Sequence, residues 1–216
     1  MTKDWLDWHR DYDQPDSALS RRLAEVRRLI AEALDAAPPG PVRAISLCAG
    51  QGRDLIPVLA AHPRGGAVTA RLVELDPRNT ELARRAVAAA GLTGVEVVTG
   101  DAAVTDRYAD LTPAGLVLVC GVFGNISDDD IRSTVRHCAS LCATGGTVLW
   151  TRHRRQPDLV PAICAWFAEE GFVPVAVSSP ADGVGVGAHR FTGPPRPLAA
   201  GARMFEFVGY DELERR

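Results

Sequence analysis

A chain of 216 residues with 46% hydrophobic content is long enough for one α/β domain with a full core and short for two. A formal charge of −3 and a pI near 6 give no general attraction to nucleic acid or anionic membranes, so a small soluble substrate is favoured. The first twenty residues hold no apolar signal segment and no window approaches a membrane span, which predicts a cytoplasmic protein. Five cysteines, odd in number and without a Cys-x-x-Cys pair, argue against a disulfide framework and against a metal site. The basic residues are 23 arginines and one lysine, Lys3, a bias that with abundant alanine points to a GC-rich bacterial genome.

The elements follow in order. Trp5 to Asp13 is dense in aromatic and ionisable groups and precedes any regular element. Leu19, Leu23, Val26, Leu29, Ile30 and Leu34 then recur at helical spacing up to Pro38-Pro39-Gly40-Pro41. A strand at Val42 to Leu47, a glycine turn and a helix from Arg53 to about Ala61 make the start of a βαβ unit. The alternation continues with a strand at Val68 to Glu74, a helix from Arg78 to Ala90 and strands at Val95 to Thr99 and Gly115 to Cys120. A helix opened by Ser127, a strand at Gly146 to Thr151, a helix from Asp158 to Glu170 and a strand at Phe172 to Val177 complete the regular part. Such alternation means a parallel sheet covered on both faces. Ser178 to Gly201 reads as a long Gly/Pro-rich connection to a last strand at Met204 to Val208.

Ligands of doubly wound sheets sit outside the carboxyl ends of the strands. At the first end, Ser46-Leu47-Cys48-Ala49-Gly50-Gln51-Gly52-Arg53-Asp54 keeps two glycines of a dinucleotide turn but has Leu55 at the third glycine position. Asp54 in the first helical turn would repel a pyrophosphate, although an acid there also suits the helix dipole. At the second end Glu74, 22 residues after Gly52, suits a ribose diol; it also precedes a helix start at Asp76-Pro77. At the third, Asp101 can accept from an exocyclic amine or cap a helix. A phosphate-averse turn, a diol acid and an amine acid together describe an adenosine ligand without phosphate, of which S-adenosylmethionine is one.

On these motifs the chain resembles the class I S-adenosylmethionine-dependent methyltransferases from Val42 to Tyr210, and within them a group of small stand-alone bacterial members carrying Leu-Cys-Ala-Gly-Gln-Gly-Arg-Asp and Trp-Thr-Arg-His-Arg-Arg. The resemblance implies a Rossmann-like doubly wound sheet of seven strands, the last antiparallel and formed by Met204 to Val208. It implies S-adenosyl-L-methionine as cofactor, held by Leu47, Cys48, Ala49, Gly50, Gly52 and Asp54, by Glu74 and Leu75, by Asp101 and Ala102, and by Cys120, Gly121 and Val122. Ser46 stands where the family commonly has an acid and Cys48 where it has its first glycine. No Asn-Pro-Pro-Tyr or Asp-Pro-Pro-Tyr follows the fourth strand, which weakens any reading as a methylase of nucleobase amines.

On the acceptor side, Phe123 and Asn125 after strand four are expected to face the transferred methyl group. Arg152-His153-Arg154-Arg155 ends strand five: His153 between arginines suits a neutral general base, with Arg152 beside it and Arg154 able to hold an acidic substrate. His189 in the late connection is a further substrate candidate. The predicted organisation is a lid-like helical extension at residues 1–41, bringing Trp8, His9 and Tyr12 to the pocket or packing on a second copy as a homodimer, and a methyltransferase domain at 42–216. The alternatives are an NAD(P)-dependent oxidoreductase, a non-catalytic adenosyl-ligand module and, less favoured, an RNA methyltransferase, which needs a contiguous basic face.

Overall fold

The computed structural model describes residues 17–208. Helix α1 (Ala18–Ala36) starts at Ser17, whose hydroxyl accepts from the Ser20 N–H at 2.9 Å, and buries the stripe Val26, Leu29, Ile30 and Leu34. Strands β1 (Val42–Leu47), β2 (Val68–Glu74) and β3 (Val95–Thr99) fall at the expected residues, joined by α2 (Leu55–Ala61) and α3 (Pro77–Ala89). Then come β4 (Ala114–Val119), α4 (Asp128–Leu141), β5 (Cys142–His153), α5 (Val160–Glu169), β6 (Phe172–Val177) and β7 (Val184–Phe191).

The seven strands form one sheet in the order β3-β2-β1-β4-β5-β7-β6. Strands β1 to β5 pair in parallel, and β7 runs antiparallel between β5 and β6. Because side chains alternate along a strand, β1 sends Val42 and Ala44 into one core layer and Ile45 and Leu47 into the other. The first layer is closed by α1, α2 and α3, the second by α4 and α5.

The antiparallel last strand is present, but it is Val184–Phe191, inside the segment expected to be a loop. Met204 to Val208 makes no strand; around it only isolated bridges form, Val104 with Arg203 and Ile126 with Phe207. The physical reason lies in Trp150. Gly187 is its register partner, and a Cβ on Gly187 would lie 2.3 Å from the indole, so this glycine, which read as a loop signal, is clearance for a buried ring. Pairing with β7 also carries β5 on to His153, beyond the expected end at Thr151. Among the described residues no helix is long and apolar enough to cross a membrane.

Candidate active site

At the carboxyl end of β1 the chain turns through Cys48 at φ 49°, the one non-glycine residue with positive φ among those described. The left-handed conformation costs an L-residue about 1–2 kcal/mol, which is why a glycine there would be the easier choice. Gly52, at φ 67°, has no room for a Cβ, which would meet Ile56 at 2.4 Å and Leu72 at 2.8 Å. The turn is tied to β2 from both sides: Ala49 N–H donates to the Val73 carbonyl at 3.0 Å, and Gly50 N–H donates to Glu74 Oε2 at 2.9 Å. The other Glu74 oxygen accepts from Asp76 N–H at 2.9 Å. Glu74 is thus aimed by two backbone bonds, while a carboxylate has room for about four. Leu75 beside it is 69% exposed, an uncovered apolar surface next to an acid.

Asp54 caps α2, accepting from Leu55 N–H at 2.7 Å. Burial pushes its carboxyl above the usual range, and backbone hydrogen bonds and the charges of Arg27 and Arg22 on α1 only partly offset this. Arg27 itself donates to the Arg53 carbonyl at 2.9 and 2.6 Å, fastening α1 to the turn. Cys120, at the end of β4, feels the Asp54 charge, and its thiol is raised chiefly by burial. Asp54 therefore stands where the ends of β1 and β4 meet.

Asp101 follows β3, and its Oδ1 accepts from Ala103 N–H at 2.9 Å. Burial raises the Cys48 thiol, and Glu74 and Asp101 raise it further, so both acids act on one sulfur from two strand ends. Oδ2 of Asp101 accepts from Arg203 at 2.6 Å, a partner the sequence did not reveal. Arg203 belongs to a strap across the edge. Thr105 N–H donates to the Ala202 carbonyl at 3.0 Å, Met204 N–H to Ala103 at 2.9 Å and Val208 N–H to Asn125 at 3.0 Å. Met204 and Phe205 are buried in the core, and Phe207 stays 44% exposed. No local periodicity could have shown this segment, because its order comes from the loops it crosses.

On the β4–β5 side the expectations need correction. Phe123 is fully buried, its ring 5.9 Å from Trp150, so it is a core residue and not a substrate contact. Leu47, Ala102 and Val122 are buried too. Gly121 N–H donates to Thr151 Oγ1 at 2.8 Å, and the Asn125 side chain donates to the Gly121 carbonyl at 2.7 Å. Arg152 donates to the Phe123 carbonyl. Arg154, only 7% exposed, pairs with Asp158 at 2.8 Å and donates to the Ser178 carbonyl, so it holds loops together and does not face a substrate.

His189 is likewise no surface residue. It is 1% exposed, accepts from Trp150 Nε1 at 3.1 Å and stacks on Phe167 at 4.6 Å; burial lowers its pKa to about 4. His153 is the one titratable base of the basic run: its Nδ1, like the Arg154 Nε, is buried without a hydrogen-bond partner, and its ring lies beside Gly124. Burial, then Arg152 and Arg155, lowers its pKa, which keeps the imidazole neutral. Trp8, His9 and Tyr12 lie outside the described residues. Among the described residues no cluster suited to a metal ion is found. A cleft of about 350 Å³, lined by Pro38, Val42, Gly115 and Thr144, lies at the opposite edge of the sheet.

The model of a family described as "Putative methyltransferase" matches residues 18–167. Among solved structures, an O-methyltransferase family protein from Burkholderia thailandensis superposes with a TM-score of 0.62 at 19% identity, covering 80% of this chain and 56% of that one. The chain thus spans little more than half the length of that protein. Magnesium protoporphyrin IX methyltransferase (ChlM) from Synechocystis PCC 6803, solved with bound SAM, superposes with a TM-score of 0.62 at 15% identity, covering 86% of this chain and 89% of that one. A search of curated protein sequences finds no match. The chain belongs to this family of methyltransferases and has the class I fold of S-adenosylmethionine-dependent methyl transfer.

Proposed function

We propose that the protein transfers the methyl group of S-adenosylmethionine to a small-molecule acceptor, with the cofactor along the ends of β1, β2 and β3 and the acceptor against the ends of β4 and β5. One observation carries this reading: Glu74 is bonded to Gly50 N–H, so the acid and the glycine turn form one wall with acceptor capacity left over. That wall suits a ribose diol, with Leu75 as an apolar ledge for the base and Asp101 as acceptor for an exocyclic amine. Asp54, an acid whose pKa is raised by burial, suits an ammonium group, which would favour its charged form. Cys48, Ala49, Gly52, Ala102, Cys120 and Gly121 complete this side.

The cofactor supplies an electrophilic methyl group on a sulfonium. The chain is asked to align an acceptor with it, exclude water and move a proton. His153, neutral and with a buried unpartnered Nδ1, is the group on the acceptor side able to take a proton from a hydroxyl or ammonium. Arg152 holds the β4 loop beside it, and Asn125 fixes that loop from within. A small acceptor is favoured over RNA because Arg154 is spent on internal contacts, which removes it from any basic face.

Titration calorimetry with S-adenosylhomocysteine and with NAD(P) tests the reading. Binding of the first in the micromolar range and none of the second is expected; the reverse would return the fold to the oxidoreductases. Incubation with labelled cofactor and a crude metabolite extract then identifies the labelled product.

A further inference from the structure

The ion pair between Arg203 and Asp101 joins residues 102 positions apart across the proposed adenine end of the site. It is not needed to hold the strap down. Thr105 and Ala202 exchange hydrogen bonds, Thr105 Oγ1 also reaches the Ala199 carbonyl at 2.6 Å, and Gly201 N–H donates to Asp106 at 2.6 Å. Nor is it placed to add much stability, since the two side chains are 52% and 39% exposed and such pairs contribute about 0–1 kcal/mol.

What the pair does fix is direction. With only Ala103 N–H on Oδ1, the Asp101 carboxylate is held at one oxygen and can swing about that contact. Arg203 takes the second oxygen from a backbone that cannot move freely, because its residue is bridged to Val104 and followed by Met204 bonded to Ala103. Its Nη1 also reaches the Phe205 carbonyl at 3.5 Å. The carboxylate is thus oriented from both sides, and its remaining lone pairs are the ones a ligand amine can use.

We propose that Arg203 is a positioning residue for cofactor recognition: through Asp101 it sets the preference for a base bearing an exocyclic amine, so the strap at residues 198–208 is part of the cofactor site. The inference rests on the reading of Asp101 as the amine acceptor. A site built to hydrogen-bond a substrate NH discriminates strongly against an analogue that lacks it, and that discrimination depends on acceptor geometry.

The experiment measures the affinity of the full chain for S-adenosylhomocysteine and for S-inosylhomocysteine, in which a carbonyl replaces the 6-amine. Wild type is expected to prefer the adenosyl ligand by roughly 20-fold or more, the range of a charged hydrogen bond. Asp101→Asn should remove most of this preference. Arg203→Met should reduce it about fivefold, with Arg203→Lys between the two and the melting temperatures of both variants close to wild type. An unchanged preference in Arg203→Met, or tighter adenosyl binding from release of a competitor, overturns the role of Arg203 alone. Loss of preference matched by collapse of the melting temperature in both Arg203 variants assigns the residue to the fold and overturns it as well. A wild type without preference, or an Asp101→Asn variant that keeps it, instead overturns the reading of Asp101.

Discussion

The two halves of the carboxyl edge use their polar groups in opposite ways. At the ends of β1 to β3, carboxylates are aimed by backbone N–H groups and keep lone pairs for a ligand, as Glu74 and Asp101 do. At the ends of β4 and β5, side chains are consumed by the protein: Arg152 on a carbonyl, Arg154 on Asp158 and a carbonyl, Asn125 on Gly121. His153 is the titratable base among them, its Nδ1 buried without a hydrogen-bond partner as is the Arg154 Nε. On the proposed function, the difference teaches that the cofactor half offers groups fixed in advance, whereas the acceptor half is a braced wall with one titratable base set in it.

Substitutions break or sharpen this contrast. The largest effect is expected for Glu74→Ala, which removes the acceptor for Gly50 and Asp76 together with the proposed diol contact. S-adenosylhomocysteine affinity should fall by roughly 100-fold, about 2.7 kcal/mol, in calorimetry. On the other half, Arg154→Met should cost stability instead of affinity. Removing the nearly buried guanidinium leaves Asp158 and the Ser178 carbonyl without it, and about 2 kcal/mol is expected once the 20% exposure of Asp158 is discounted. Calorimetric unfolding should show a melting temperature lower by roughly 4–8 °C with cofactor affinity within twofold of wild type. A large loss of affinity would show that the two halves are not separate.

His153→Gln is expected to lower turnover by roughly 10- to 100-fold while leaving cofactor affinity unchanged. Because the folded protein holds this imidazole below its ordinary 6.5, the acid limb of the rate profile should lie below that value in wild type and vanish in the variant. A limb at or above 6.5 would remove His153 from proton transfer.

The smallest effect is a change of sign. Asp54 has its folded value raised above the ordinary 3.8, so its contribution to stability is full below 3.8 and is lost as pH rises through the folded value. Asp54→Asn should therefore raise the melting temperature of the free protein above that window and weaken S-adenosylhomocysteine binding about tenfold. In wild type, binding should weaken as pH falls through the raised value, because the ammonium needs the charged carboxylate. Equal binding by Asp54→Asn at every pH would show that Asp54 serves only as a helix cap.

The contrast also explains what was legible beforehand. Strands β1, β2 and β3 are apolar runs with clear boundaries, so the place of Glu74 at the end of β2 and of Asp101 just after β3 could be read from position alone. The acceptor half is decided by who bonds whom across loops. Arg154 and Phe123 looked available because nothing local announces the Ser178 carbonyl, 24 residues on, or the Trp150 ring as their partners. His189 and Gly187 read as part of a turn because the reason for them, a tryptophan 37 residues away from Gly187, is visible only after β5 and β7 pair. Glycine was taken as a signal of backbone freedom where it marks a lack of space.

The strap has a consequence for the order of folding. Thr105 meets Ala199 and Ala202 across 94 and 97 positions, and Asp101 meets Arg203 across 102. Contacts of such sequence separation close late, after the local βα units have formed. During synthesis the sheet from β1 to β5 can assemble while the segment that orients Asp101 is still to be made. Competence to distinguish an adenosyl ligand would then arrive only with residues 198–208. Pulse-labelled hydrogen exchange should find the Met204 and Thr105 amides protected after those of β1 and β4.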